Sequence, residues 1–234
     1  PKEDIEIPEG QEISVYFQLT SKDGYYFTYE IFRGTTAMDE TQEETYQGFI
    51  KVKDFLKEGR WVCFSGTPCQ IEGLYHYLRK KQYDKLVLVD VVCYGIPSPG
   101  VFKDYMQWKQ KEIGGKFKRI LFREKILSYN YTSFSVYNED PKKNYHKGVE
   151  SEQFMRSFFC DMNVRPSCYD CRFKKRYRVS DFTIWDCYDV KMFSKNFDDN
   201  GTNRILVHTS KGMSILNAIK DSVRLEEYKN LDYF

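Results

Sequence analysis

Two short apolar stretches decide the fold of this 234-residue chain: WVCFSG at 61–66 and KLVLVDVVCYG at 85–95. The second is the most continuously apolar run in the sequence, which is typical of a strand covered on both faces, as in a parallel sheet. Helical periodicity surrounds them, at 46–59 before the first, at 71–81 between them and at 97–115 after the second. This alternation of helix and strand predicts a βαβ unit.

The second half of the chain has a less regular pattern. Strand-like segments lie at 118–125, 131–138, 179–186 and 204–210, and helical segments lie at 150–162 and 211–224. The final helix places apolar residues at helical spacing, namely Met213, Leu216, Ile219 and Val223. We predict a mixed α/β (α+β) fold over 1–234, with a central partly parallel sheet, flanking helices and a loop-rich, Cys-bearing C-terminal half.

The N-terminal segment carries polar and turn signals. Residues 1–10 predict a tail, 13–32 predicts a β-hairpin that turns at Lys22-Asp23-Gly24, and 34–45 predicts a loop. Residues 1–10 also lack the basic and apolar regions of a secretory signal.

The bulk composition excludes several classes of function. The formal net charge of +2 gives no field that attracts nucleic acid. No apolar run approaches the roughly 20 residues that span a bilayer. The seven cysteines are an odd number in a chain too long to depend on disulfides. We therefore expect a cytoplasmic protein with reduced thiols and a metal site.

Two cysteines follow the two best predicted strands. Cys69 lies in Gly66-Thr67-Pro68-Cys69-Gln70, and Cys93 opens Cys93-Tyr94-Gly95-Ile96-Pro97-Ser98-Pro99. Ligands of parallel α/β sheets gather outside the carboxyl ends of strands, so both thiols are predicted at one sheet edge. Buried cysteines also serve as small apolar residues, and either turn alone leaves that alternative open. We assign Cys63, Cys160 and Cys187 mainly to that structural role.

The pair Cys168-x-x-Cys171 is the stronger signal for a metal. It lies in RPSCYDC at 165–171, a turn-like stretch without helical period, and a short turn directs two sulfurs to one point. A redox-active dithiol would need a thioredoxin-like strand and helix around the pair. Four cysteines from three loops suit an iron–sulfur cluster, whereas spacing alone leaves zinc open. His76, His146 and His208 are isolated, and we assign them to surface or packing roles.

Four motifs resemble a known family. FSGTPCQIEGL at 64–74, VDVVCYGIPSPGVFKDY at 89–105, RPSCYDCRFKKRYRVSDFTIWD at 165–186 and DDNGTNRILVHTSKG at 198–212 are similar to the C-terminal domain of the coenzyme F420 hydrogenase/dehydrogenase β subunit. They occur in the family's order, and the resemblance covers the chain from about residue 46 to its end.

The resemblance implies a [4Fe-4S] cluster, FAD and electron transfer to a flavin or deazaflavin-type acceptor. Position by position, it implies four cluster ligands: Cys69, Cys93, Cys168 and Cys171. It further implies that a cofactor pocket is shaped by Gly66, Thr67, Pro68, Pro97, Ser98, Arg178 and Asp181. Many members of the family carry an N-terminal ferredoxin-like domain, which this sequence lacks. A separate ferredoxin-like protein or a missing ferredoxin domain is then the expected electron donor.

The sequence departs from the family pattern at several points. The flavin-binding Ser-Ser-Gly-Gly-like and Gly-Ser-Lys-Tyr-like stretches are not recognisable, and Tyr94 replaces the usual His. FAD is therefore a candidate cofactor, and F420 binding cannot be demonstrated from the sequence. The leading hypothesis is an iron–sulfur oxidoreductase of this family. One form of this hypothesis is a bacterial paralogue linked to surface-polysaccharide metabolism. The alternative is a non-catalytic domain with a structural zinc–thiolate site that binds a protein partner.

Overall fold

The computed structural model describes residues 13–14, 42–128, 130–187, 190–193 and 202–226. The predicted tail at 1–10 and nearly all of the predicted hairpin at 13–32 lie outside the described residues, as do positions 34–41 of the predicted loop.

The secondary structure of these residues alternates between helices and strands through most of the chain. The strands are β1 (Ile13–Ser14), β2 (Trp61–Gly66), β3 (Leu86–Val91), β4 (Phe117–Glu124), β5 (Ser133–Asn138), β6 (Tyr145–Gly148), β7 (Phe182–Asp186) and β8 (Asn203–Val207). The helices are α1 (Gln42–Lys57), α2 (Pro68–Tyr77), α3 (Pro99–Ile113), α4 (Gln153–Phe159), α5 (Pro166–Tyr169), α6 (Val190–Phe193) and α7 (Ser210–Ile219).

The chain forms two compact units. Among the described residues, unit 1 comprises those up to Cys93 and those from Arg172 onward, and unit 2 comprises Tyr94–Cys171. The boundaries between the units therefore lie directly after Cys93 and directly after Cys171. That the whole of 1–234 acts as one domain stays a prediction.

Unit 1 contains a sheet in the order β1-β2-β3-β7-β8. The first four strands are parallel, and β8 joins β7 in the antiparallel direction. This arrangement confirms the mixed α/β class and the partly parallel sheet. β1 pairs with β2 and thus extends the predicted parallel core at its other edge.

Both faces of this sheet are covered by apolar side chains, as the apolar run at 85–92 predicts. On one face, α1 and α2 pack against β2 and β3 through residues that include Val52, Leu74, Phe64 and Leu88. On the other face, Cys63, Val89 and Phe182 pack against Ile215 and Leu216 of α7. Alternate residues of one strand serve opposite faces because successive side chains of a strand point in opposite directions.

Two helices differ from their predictions. Residues 42–45, expected in a loop, form the first turn of α1. In α7 the predicted apolar stripe at helical spacing is only partly buried, because Met213 and Ile219 are exposed whereas Ile215 packs inward beside Leu216. The helix contacts the sheet along a stripe displaced from the predicted one.

Unit 2 contains an antiparallel sheet in the order β4-β5-β6. Its core is aromatic: Phe122, Phe134, Phe154, Phe102 and Tyr105 contact one another with ring centroids 5.1–6.3 Å apart. The wholly buried Glu152 begins α4 by accepting the Met155 N–H at 2.9 Å, and its other oxygen accepts the Tyr105 hydroxyl. Glu152 therefore caps α4 and, through Tyr105, attaches it to α3.

Candidate functional site

Cys69 lies in the first turn of α2, directly after the carboxyl end of β2. Gln70 Oε1 accepts the Thr67 N–H at 2.9 Å, which closes this turn. Pro68 occupies the first turn, where its missing N–H costs no hydrogen bond. A Cβ on Gly66 would lie 2.9 Å from Gln70 Oε1 and 3.2 Å from Gln70 Cβ, so glycine makes room for the glutamine. The predicted pocket residues thus build the turn that holds the Cys69 thiol.

The Cys69 sulfur has a polar neighbour. Thr67 Oγ1 lies 3.1 Å from Cys69 Sγ and also 3.1 Å from Gln70 Oε1. The Thr67 hydroxyl has one hydrogen and donates it to Gln70 Oε1, so a protonated Cys69 thiol is the donor to Thr67 Oγ1. A thiolate can only accept, and the hydroxyl hydrogen would then turn from Gln70 to the sulfur. Cys93 follows the carboxyl end of β3 within unit 1, and both thiols are only partly buried.

In unit 2, the segment that follows Cys93 pairs with the segment that precedes the CxxC motif. Backbone hydrogen bonds of 2.7 and 2.8 Å join 96–98 to 163–165. Gly95, with φ of 154°, approaches so closely that a Cβ there would lie 2.5 Å from Val164 Cγ1 and 3.4 Å from Cys168 Cβ. The predicted residues Pro97 and Ser98 therefore form the strand-like pairing that brings two cysteine-bearing motifs of the sequence together.

The CxxC motif has more local structure than its sequence predicts. Cys168 lies in the single turn of α5, and its N–H donates to the Arg165 carbonyl at 2.9 Å. Tyr169, between the two cysteines, donates its hydroxyl to the Asp161 carbonyl. Cys168 and Cys171 remain partly accessible. The expectation of a turn without helix was therefore wrong for 166–169, because Pro166 favours a helical first turn.

Tyr94 has a clear structural role in unit 2. Its hydroxyl donates to the Phe159 carbonyl at 2.8 Å, and its ring contacts Phe158 and Phe159. It thereby anchors the segment after Cys93 to the end of α4.

All seven cysteines lie in the described residues, and none of them forms a disulfide. Cys63 and Cys187 are buried, in agreement with a structural role, whereas Cys160 is exposed at the end of α4. Cys187 Sγ accepts a hydrogen bond from Arg204 Nε at 3.3 Å. Within the part of the chain that the structure describes, no three Cys, His, Asp or Glu side chains are gathered in an arrangement that would hold a metal ion. The set of four ligands stays a prediction.

Arg178 contributes to a buried polar layer in unit 1. Its Nη1 lies 3.0 Å from Asp90 Oδ1 and donates to the Val91 carbonyl at 3.0 Å, both at the carboxyl end of β3. Three residues earlier, Lys175 forms an ion pair with Glu72 of α2 at 2.7 Å. The segment after the CxxC motif is thus fixed to α2 and β3 by charge pairs. Arg178 as a cofactor ligand stays a prediction.

The polar layer continues from Asp90 across β7 to β8. The Thr183 hydroxyl donates to Asp90 Oδ1 at 2.5 Å and lies 2.7 Å from His208 Nε2. Asp90 and Thr183 are 1% exposed and His208 is half-buried. Burial lowers the pKa of the His208 imidazole, and Arg178 acts in the same direction, whereas Asp90 and Asp181 oppose the shift.

Asp181 lies just before β7, at the opposite end of that strand from its carboxyl edge. Its Oδ2 accepts the Leu88 N–H at 2.9 Å and lies 3.2 Å from Lys211 Nζ, and its Oδ1 accepts the Thr209 hydroxyl at 2.5 Å. These contacts join β3, β7 and the start of α7. A cofactor-binding role for Asp181 stays a prediction, next to this structural one.

Sequence reasoning missed the Asp90, Thr183 and His208 chain. A charged residue inside the otherwise apolar stretch KLVLVDVV was the available signal, because a carboxylate in a covered strand needs polar partners. Nothing in the local sequence of Thr183 or His208 marks them, since the contacts that join them to Asp90 are formed between distant parts of the chain.

An α/β protein with partly accessible cysteines in the turns after its parallel strands belongs to a class in which redox and metal-binding proteins are common. The chain belongs to the family of the coenzyme F420 hydrogenase/dehydrogenase β subunit, C terminus, whose model it matches over residues 59–231. This family is associated with oxidoreductases, which supports the general class predicted from the motifs. No curated protein in the comparison matches this chain. In the described residues, no helix combines the length and apolarity that a membrane crossing requires.

Proposed function

We propose that this chain is a redox domain in which Cys69, Cys93, Cys168 and Cys171 bind one [4Fe-4S] cluster. The observation that carries the proposal is the close passage of Gly95 beside Cys168 in unit 2. It brings the sequence motif that begins with Cys93 against the motif that contains the CxxC pair. Family membership supports the same assignment.

The residues present fit such a cluster in their chemistry. Each of the four is a partly accessible cysteine outside any disulfide, and thiolates are the soft ligands that iron–sulfur clusters use. Cys63 and Cys187 are buried and Cys160 lies on an exposed helix end, so none of the other three shares both the exposure and the motif context of this set.

A bound cluster would accept and donate single electrons. The contribution of the protein is to set its potential and orient its ligands. Thr67 would supply a hydroxyl to the Cys69 sulfur, and hydrogen bonds to sulfur are one of the factors that set cluster potential. Pro97 and Ser98 would hold the chain after Cys93 in place through their pairing with 163–165.

FAD is the candidate second cofactor, with Gly66, Thr67, Pro68, Pro97, Ser98, Arg178 and Asp181 as the proposed pocket residues. A flavin converts single electrons into two-electron chemistry, which is the class of reaction proposed here. A ferredoxin-like protein is the proposed electron donor.

Anaerobic purification followed by absorption spectroscopy and metal and flavin analysis tests the proposal. We expect a broad absorption band in the blue region, iron and acid-labile sulfide in equal amounts, and zinc well below one per chain. Flavin released on denaturation would support the proposed second cofactor. A colourless protein with stoichiometric zinc would refute the redox assignment and favour a structural zinc–thiolate module.

A further inference from the structure

Thr183 stands between a carboxylate and an imidazole in the buried layer of unit 1. Its Oγ1 lies 2.5 Å from Asp90 Oδ1 and 2.7 Å from His208 Nε2. Asp90 is further fixed by Arg178 Nη1 at 3.0 Å, so the three groups form an ordered chain from β3 through β7 to the end of β8. This hydrogen-bond chain joins β3, β7 and the residue after β8, and it does not depend on the four cysteines.

The number of protons fixes the direction of these hydrogen bonds. A threonine hydroxyl has one hydrogen, and Thr183 donates it to Asp90. At its contact with His208 the oxygen can then only accept, so Nε2 carries a hydrogen and donates it. Tautomers of histidine are assigned in this way from the partners of the ring.

The other ring nitrogen is left with its lone pair. Nδ1 of His208 has no hydrogen-bond partner among the described residues. Burial lowers the pKa of the imidazole, which keeps the ring neutral near pH 7. The charged groups that face it are Asp90 on β3, Asp181 at the start of β7 and Arg178 in the segment before β7.

We infer that His208 is a proton-accepting site that takes a proton at Nδ1 from an N–H or O–H group of a bound ligand. In this step the N–H or O–H bond of the ligand breaks, an Nδ1–H bond forms, and no electrons are transferred. The product is an imidazolium whose Nε2–H still donates to Thr183, and the Asp90 carboxylate stabilises its charge through the Thr183 hydroxyl.

The ligand class, a group with an N–H or O–H proton to give up, follows from this chemistry. Only the identification of the ligand as a flavin or deazaflavin rests on the proposed function. A reduced flavin or deazaflavin ring carries N–H groups that lose a proton on oxidation, so it belongs to the expected class. The state of His208 itself requires neither a cluster nor a flavin. Its test therefore fails or succeeds independently of the iron analysis.

Imidazole-selected ¹H–¹⁵N spectra test the hydrogen bonds among Asp90, Thr183 and His208. The protein has only three histidines, so their signals are readily assigned. His208→Gln identifies the signal by its loss. We expect a neutral ring with hydrogen on Nε2, and an Nε2–H signal protected from exchange with water. Thr183→Ser should keep this protection and Thr183→Val should lose it. An Nδ1–H tautomer, or equal protection in Thr183→Val with an unchanged amide spectrum, would overturn the inference.

Two further measurements test the accepting atom. Asp90→Asn should shift the titration of His208 to lower pH, since it removes the carboxylate that stabilises the imidazolium. Diethyl pyrocarbonate, which acylates an accessible unprotonated imidazole nitrogen, should label His208 in the native protein at pH 7, with the exposed His76 as the positive control. An unshifted titration, or labelling of His76 without His208, would overturn the inference.

Discussion

Arg178 and Asp90 form an ion pair that is almost withdrawn from solvent. The two atoms Nη1 and Oδ1 are 3.0 Å apart, and the side chains are 13% and 1% exposed. Arg178 lies seven residues after Cys171 and Asp90 three residues before Cys93 in the sequence. Within unit 1, the pair therefore fixes the stretch of chain before Cys93 to the stretch of chain after Cys171.

Removing the cation from this pair should destabilise unit 1 strongly. Arg178→Met leaves the Asp90 carboxylate buried without its charged partner, and breaking a buried pair in this way costs about 3–5 kcal/mol. Chemical denaturation measures the loss. The control is Arg176→Met, because Arg176 is exposed. Equal unfolding free energies for the two variants would show that the ion pair contributes nothing.

The stability of the protein should depend on pH through His208. Its pKa is lowered in the folded state, so the unfolded chain binds the proton more readily. Above the unfolded-state pKa of about 6.5 the ring is neutral in both states, and the free energy of unfolding keeps its full value. As the pH falls below about 6.5 the unfolded chain takes up the proton first, and the free energy of unfolding decreases.

Unfolding free energies of the wild type and His208→Gln, measured from pH 7.5 to pH 5, isolate this contribution. The wild type should lose more stability than the variant as the pH falls. Parallel curves would contradict the lowered pKa, and a relative gain of the wild type at low pH would reverse its sign.

The close passage of Gly95 should not tolerate a side chain. In Gly95→Ala the new Cβ would lie 2.5 Å from Val164 Cγ1, at a φ of 154° that L residues rarely adopt. A strained backbone of this kind costs about 1–3 kcal/mol. Gly100→Ala is the matched control and should be neutral or stabilising, because a Cβ at this helical position would meet only Ser98 Oγ, at an ordinary 3.8 Å. Thermal unfolding that shows the same midpoint for both would refute the contact.

The Tyr105 hydroxyl should stabilise unit 2 through Glu152. Tyr105→Phe keeps the ring packing but leaves one oxygen of a fully buried carboxyl without its donor, which costs about 1–3 kcal/mol. Burial and the hydrogen bond to Glu152 both raise the pKa of Tyr105, so the hydroxyl stays protonated at neutral pH. Amide exchange in α4 should accelerate in this variant and not in Tyr131→Phe, whose ring is largely exposed.

Local sequence signals located most of the elements. The apolar run at 85–92 predicted a covered strand, and Gly59 and Gly114, both with positive φ, mark the end of α1 and the C-cap of α3. The boundaries of α2 were less accurate. It begins three residues before its predicted start at Ile71 because Pro68 favours a first turn, and it ends at Tyr77 ahead of Arg79 and Lys80, which adopt positive φ without glycine.

Elements and contacts that depend on distant partners were missed. β6 has the sequence YHKG, in which Tyr145 alone is a strong strand former, and it is a strand because β5 pairs with it. The layer formed by Asp90, Thr183 and His208 joins residues of β3 and β7 to the residue after β8, so its hydrogen bonds become visible only in the folded chain. The cysteine motifs were visible because their spacing is local.

The most direct test of the proposed function is the iron and sulfide content of single cysteine variants purified without oxygen. The wild type and Cys160→Ser, which changes an exposed thiol outside the set, should hold about four irons and four sulfides per chain, as a cubane cluster requires. Serine at Cys69, Cys93, Cys168 or Cys171 should reduce that content sharply in each case. Iron retained at the wild-type level in Cys168→Ser, or absent from the wild type and replaced by zinc, would contradict the proposal.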